Sequence, residues 1–549
     1  MIALLALLAL LACPGSGPTG SDPCGAGAPT WDSFAQGYVR TWCTPCHSAG
    51  LEGPQRQGAP TGIDLDHYSD VIALADRIEA RATGPDADMP PLGGVEPDAV
   101  ERLGAWLACG APGLDPPPDP CDQPIEGPAA TVASQADADA LCAGSSAVRG
   151  LTVTGDAALD CLCVVSGPLT IEGGAVSLPA LEEVTGTISA LGGAASLSAP
   201  RLEQIGGSLR LGGAVHTVSL PRLEQVSGEV VIEGAVALRA LALDTLSQAS
   251  ALRVRDDPVL ASLSLARLAE VSGDVVIEAL PALVALERTR SLRTVGGDLV
   301  LAELERLAGL DTWALQFLAT VDGSVRIEGN AALRNVGGFT LLQSVGGDLV
   351  VADNASLRGI DGLDNLRTVG GDLVLADNPL QETVAGLDNL DQVSGAVVLD
   401  ALPSLRSLAG PVALRRAGAL TVSHTGPVTL PWLTALEQVD GVVRIEGNAS
   451  LRSIDGLSAL GSVGGLVIAE HPVLVSLDGL AALTWVGGDL VLERNTTLAT
   501  VAPLHGIEAV DGGLTVRDNP TLPTAGIDAW IEAIGTDDIA GPITVEGNG

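Results

Sequence analysis

From residue 150 onward one phrase keeps returning: SGPLTIEG at 166, SGDVVIEA at 272, GGDLVLAE at 296, GGDLVLAD at 370 and GGDLVLER at 487. The spacing is about 21 residues in the early copies and about 24 in the later ones, the range of leucine-rich and β-solenoid repeats. A single unit this short cannot bury its own apolar side, so the units must stack and share one core. The composition agrees. Hydrophobic residues make up 46% of the 549-residue chain but aromatics only 2%, which suits thin layers of Leu, Val, Ile and Ala.

The unit LRTVGGDLVLADNPLQETVAGLDN can be read residue by residue. Val369 packs inward, Gly370 and Gly371 make a turn, and Leu373, Val374 and Leu375 form a short strand. Strand side chains alternate, so Leu373 and Leu375 face the core while Val374 faces out. Asn378 sits where a side-chain amide satisfies the backbone of the next coil. Asn330, Asn354, Asn448, Asn495, Asn519 and Asn548 hold the same place, which predicts an internal ladder. Leu380 and Leu387 are expected to return the chain to the core. The helical pattern of Ile527, Trp530, Ile531 and Ile534 predicts a cap over about 523–549. Outward mid-strand residues form a stripe, among them Val276, Val300, Val350 and Val374, followed by acids such as Glu278 and Glu328. Valine favours strands and acids keep a sheet surface soluble, so the stripe need not mark a binding face.

These repeats resemble the receptor L-domain family, leucine-rich-related solenoids, over roughly residues 121–549. The resemblance implies a long right-handed parallel β-solenoid used in extracellular recognition or wall structure, without catalysis. It leaves the solenoid open to a protein or glycan ligand.

The N-terminus is different. MIALLALLALLAC is apolar but too short to span a bilayer as a mature helix. Leu10, Leu11, Ala12 and Cys13 resemble the lipobox of bacterial lipoproteins. That implies a signal peptide over 1–12, lipidation of Cys13, a tether over 13–23, and export to the cell envelope with the membrane reached only through the lipid. Net charge is -39 and the sequence contains no lysine. Phosphate contacts need clustered positive charge, so a nucleic-acid partner is excluded. Export is consistent with the nine cysteines. Cys24 and Cys109 bracket the first domain and are expected to pair. Cys161 and Cys163, two apart on one strand, each pair with Cys121 or Cys142 in either arrangement, as disulfides of an oxidising compartment.

One motif stands outside the repeats: CTPCH, with Cys43, Cys46 and His47. Structural zinc needs four ligands, usually from two such pairs, and there is no second CxxC or HxxxH. A thioredoxin-type dithiol opens a helix in a βαβ unit, and the flanks show none. Covalent haem attachment is the third use: two thiols join the haem and the histidine coordinates iron. Around the motif, Trp31, Phe34, Tyr38 and Val39 form one amphipathic helix. Met89 precedes two prolines, and Pro97 opens a second helix whose apolar face is Val100, Leu103, Trp106 and Leu107.

Residues 24–114 resemble a small class I c-type cytochrome, an all-α domain. The resemblance implies one haem c, with Cys43 and Cys46 as thioether sites, His47 as proximal ligand and Met89 as distal ligand. His67 is the other candidate for the distal position. With both axial positions filled, electron transfer to a redox partner protein is expected, and not enzymatic catalysis. The stretch at 115–128 is a proline-rich linker, leaving 129–549 for the solenoid. The expected protein is a monohaem electron carrier with the solenoid as spacer or recognition module. The alternative is a surface-binding or structural protein to which the haem domain is accessory.

Overall fold

A computed structural model describes residues 29–549 apart from 84–86, 91–94, 112–120, 122–123, 287–290, 311–314, 407–412 and 427–428. Cys13 and Cys24 lie outside the described residues. The chain divides into two compact units, with the division between Asp122 and Gln123.

The first unit is helical. A helical turn at Trp31–Ala35 runs into the helix Gln36–Trp42, followed by Tyr68–Ala73, Ala75–Ile78 and Pro97–Ala108. Thr30 starts the first of these: its hydroxyl accepts from Ser33 N–H at 3.2 Å, while the Ser33 hydroxyl accepts from Thr30 N–H at 2.9 Å. This reciprocal cap satisfies two otherwise free donors. Pro97 sits in the first turn of its helix, where its missing N–H costs nothing. The apolar faces of the first and last helices meet. Trp31 lies 5.8 Å from Trp106 between ring centres and 5.2 Å from Tyr68, and the Tyr68 hydroxyl donates to Ala111 O at 2.7 Å. Leu103, Trp106 and Leu107 are buried with Tyr38, Val39 and Val71.

The second unit is a parallel β-solenoid. Thirty-three strands join one sheet, Ala240–Ala242 and Ser262–Ser264 form a second, and every described pairing is parallel. The register puts Val276, Val300, Arg326, Val350, Val374 and Val398 opposite one another on successive coils. Residues on either side of that column, such as Leu373 and Leu375, are buried, as the strand alternation requires. Gly370 explains the glycine-rich bend. A Cβ there would come within 2.1 Å of Gly346 O on the preceding coil, a distance no side chain tolerates.

Two side-chain ladders run along the stack in opposite senses. In the asparagine ladder the later coil supplies the acceptor: Asn354 Oδ1 accepts from Asn330 N–H at 3.1 Å, and Asn378 Oδ1 from Asn354 N–H at 2.9 Å. Each amide also reaches back, as Asn354 Nδ2 does to Ile327 O at 2.8 Å. In the second ladder the earlier coil supplies the acceptor. Asp348 Oδ1 accepts from Asp372 N–H at 2.9 Å, and Asp298 Oδ1 from Ser324 N–H at 2.7 Å. The aspartate of the GGD phrase is therefore a structural acceptor, a role the sequence reading did not give it.

The residue just before each ladder asparagine adopts left-handed backbone, including Asp353 (φ 56°), Asp377 (φ 51°), Arg494 (φ 53°) and Asp518 (φ 56°). That conformation costs a non-glycine residue about 1–2 kcal/mol. Each ladder amide contributes two or three buried hydrogen bonds at about 1 kcal/mol net apiece, so the corner holds. The ladder also extends through other residue types. Thr425 N–H donates to Asn448 Oδ1 at 2.8 Å and His471 N–H to Asn495 Oδ1 at 3.2 Å, while Asp257 Oδ1 accepts from Ala235 N–H.

One core assignment is corrected. Leu380 is 46% exposed, and Gln381 fills the position that Leu357 holds one coil earlier. Gln381 is satisfied there by Asn378 Nδ2 at 3.2 Å and by Thr383 O at 3.1 Å. The proline after Asn378 gave no signal of which neighbour turns inward. Leu387 is buried as expected. The C-terminal helix Thr524–Ile534 covers the last coils, with Trp530 fully buried and its indole N–H donating to Leu504 O at 3.0 Å. Near the other end stands the helix Gln135–Cys142, whose last residue is bonded to Cys161.

Candidate haem-attachment site

The helix Gln36–Trp42 delivers the CTPCH segment as a continuing turn. Cys43 N–H donates to Val39 O at 2.8 Å, and His47 N–H returns to Cys43 O at 2.9 Å, with Cys46 N–H on the same oxygen at 3.1 Å. Spacings of three and four residues on one turn face the same way. Cys43 is thus placed one turn from both Cys46 and His47.

The cysteines fall into two chemical states. Cys43 and Cys46 are free thiols, half-buried. Cys109, Cys121, Cys142, Cys161 and Cys163 are all in disulfides. The bond Cys142–Cys161 settles which of the two arrangements holds for Cys161. Burial, with Cys46 alongside, pushes the Cys43 thiol up to about 11. Burial and Cys43 likewise raise the Tyr38 phenol, whose hydroxyl is buried and has no partner among the described residues.

His47 is held on two sides. Its carbonyl accepts from Leu65 N–H at 2.8 Å, and its Nδ1 lies 3.0 Å from Ile63 O. A carbonyl only accepts, so Nδ1 carries a proton, and in the neutral ring Nε2 is then the nitrogen with the lone pair. A ligating histidine needs this state, with the second ring nitrogen tied to a backbone acceptor.

Met89 belongs to the same unit but is half-buried and tied elsewhere. Its N–H donates to Arg81 O at 2.9 Å, and Arg81 Nη2 pairs with Asp88 Oδ2 at 2.6 Å. No hydrogen bond among the described residues links Met89 to the CTPCH turn, and residues 91–94 that follow it lie outside them. His67 is exposed and precedes the helix Tyr68–Ala73. The residues present fit a haem: two free thiols a turn apart, an imidazole with Nε2 bare, and buried donors without partners at Tyr38 Oη and Arg56 Nε. Sequence reading missed Arg56 entirely, because an arginine in GPQRQG reads as a solvated loop residue.

The outward solenoid stripe offers less. Its valines are half-buried or, like Val350, buried by their neighbours, and Arg253 and Arg444 in it are paired, with Asp274 and with Glu446 at 2.9 Å each. No group of three or more metal-ligating side chains is found among the described residues. No family model matches the chain, and no curated protein matches it either.

Among the described residues no helix is long and apolar enough to cross a membrane. The disulfides point to folding in an oxidising, exported environment.

Proposed function

We propose that the helical unit carries one covalently attached haem c and transfers electrons at the cell envelope. The observation that supports this reading is the CTPCH turn, which keeps two free thiols within one turn of a histidine whose Nδ1 is tied to a carbonyl, in a chain whose other described cysteines are oxidised. Cys43 and Cys46 form the thioethers, His47 is the proximal ligand and Met89 the distal one. When bound, haem supplies a one-electron couple. Met89 sets that couple higher than a second histidine would. The packed aromatic cluster of Trp31, Tyr68 and Trp106 holds the first and last helices together and keeps water from that part of the unit. With His47 and Met89 both holding the iron, no position would be left for a substrate, which favours a carrier over an enzyme. Its redox partner is another protein.

In this reading Cys13 bears lipid and tethers the chain to a bacterial envelope membrane, and the solenoid serves as spacer or recognition module for a protein or glycan. The experiment is expression in a haem-maturing host. The wild type should show a sharp α-band on reduction, and Cys43→Ser should abolish the covalently held haem. A colourless wild type under those conditions ends the haem reading. Met89→Ala should keep the haem but lower its reduction potential; an unchanged potential removes Met89 from the distal position.

A further inference from the structure

The loop between Ser48 and Asp64 has little regular structure of its own. Apart from one tight turn at Gly53–Arg56 it is irregular, and Gly53, Gln57, Gly58 and Gly62 all take left-handed backbone. A cation holds it together. Arg56 is 4% exposed, and its guanidinium donates to Ser48 O at 2.7 Å, Pro60 O at 2.9 Å, Ile63 O at 3.1 Å and Asp64 Oδ1 at 2.8 Å. Taking such a charge out of water is costly unless it is paired and hydrogen-bonded, and Asp64 with these carbonyls and Leu51 O provides that.

The Ile63 contact is the informative one. The same oxygen faces His47 Nδ1 at 3.0 Å, so one carbonyl accepts from two donors on its two lone pairs. The next link, Leu65 N–H to His47 O at 2.8 Å, means that residues 63–65 grip His47 by backbone and by ring. We propose that Arg56 is the positioning residue of His47, fixing and polarising the Ile63 carbonyl that keeps the ring proton on Nδ1 and the Nε2 lone pair free. The geometry stands by itself; the redox consequence rests on the haem reading.

The guanidinium acts in two ways. It holds the Ile63 carbonyl in the place where the Nδ1 proton meets it, so the ring keeps one orientation. Its own positive charge favours whichever neighbouring state is less positive. Removing Arg56 therefore loosens the ring and lowers the reduction potential. A residue that only stapled the loop would change stability and leave both readouts alone.

The test uses the full chain with 15N-labelled histidine from a haem-maturing host, comparing wild type with Arg56→Gln, Arg56→Lys and Asp64→Asn. In the reduced wild type the His47 Nδ1–H should be visible and slow to exchange. Arg56→Gln should speed that exchange roughly tenfold, the effect of about one hydrogen bond, and lower the potential. Arg56→Lys should restore most of both. A folded Arg56→Gln with wild-type exchange and potential overturns the proposal. Should Arg56→Gln fail to fold, unchanged exchange in both Arg56→Lys and Asp64→Asn overturns it. If the wild type carries no haem, the proposed function fails separately. The haem-free ring then decides on Arg56: a proton on Nδ1 upholds its role, and one on Nε2 overturns it.

Discussion

Asn354 and Arg56 are both buried polar side chains that hold stretches of backbone far apart in sequence. Asn354 accepts from Asn330 N–H at 3.1 Å and donates to Ile327 O and Ala352 O at 2.8 Å each. Arg56 donates to four carbonyls and a carboxylate. The difference is company. Asn354 stands in a column with Asn330 and Asn378, and the same amide contacts recur at Asn448, Asn495 and Asn519. Arg56 does its work once. In a stacked array stability is a sum of coil and nearest-neighbour contributions, so damage stays local. In a small irregular loop the hydrogen bonds of one side chain are spread over the whole loop, and losing them releases all of it.

The sharpest way to break this comparison is Asn354→Leu. The change leaves Asn330 N–H buried without its acceptor and takes one donor each from Ile327 O and Ala352 O, at a cost of about 2 kcal/mol. Hydrogen exchange should then rise in the coils spanning residues 327–378 and stay at wild-type levels around Asn448, Asn495 and Asn519. Equal loss in those distant coils would show that the solenoid melts as one body and that the column argument is wrong.

Asp257 tests the column from the opposite side. It occupies the ladder position with the wrong group: one carboxylate oxygen takes Ala235 N–H, while the other is buried with no partner among the described residues. An asparagine would present Nδ2 there, as Asn330 does to Leu301 O at 2.9 Å. Burial pushes the Asp257 carboxyl up to about 6, with Asp256 and Glu233 adding to it. A carboxyl whose folded value is raised binds its proton more tightly when folded. Its contribution is therefore intact below the ordinary carboxyl range and lost as pH rises through about 6. Asp257→Asn should raise stability by about 2 kcal/mol at pH 7 to 8, and the gain should shrink toward zero near pH 4. A gain independent of pH would mean that the missing donor, and not the charge, was the defect.

How much of this was legible in the sequence follows the same division. The strand, its inward and outward residues, and the asparagine ladder could be read because each signal recurs many times and chance coincidences average out. Thr425, His471 and Asp257 were not read into the ladder because they break its spelling, although their backbone occupies the same corner. The GGD aspartates recur just as often, but a surface acid has so many uses that recurrence alone did not reveal a hydrogen bond to the next coil. In the helical unit the CTPCH turn was legible because its spacing is a chemical requirement. Arg56 and the Ile63 carbonyl were not, because a long-range contact made once leaves no periodic trace, and a backbone acceptor has no sequence signature at all.

The smallest expected effect tests the one core position that was misread. In LADNPLQET the proline fixes the backbone after Asn378, and the chain turns so that Gln381, not Leu380, enters the core. Leu380→Ser removes a side chain already in water and should change stability by less than about 0.5 kcal/mol. Leu387→Ala, six residues after Gln381 and 2% exposed, should cost about 3 kcal/mol in the same denaturant titration. Comparable losses would put Leu380 back in the core and make Gln381 the exception. A flat response at Leu380 would instead show that in this fold the corner geometry of the coil, more than hydrophobicity, decides which of two adjacent residues is buried.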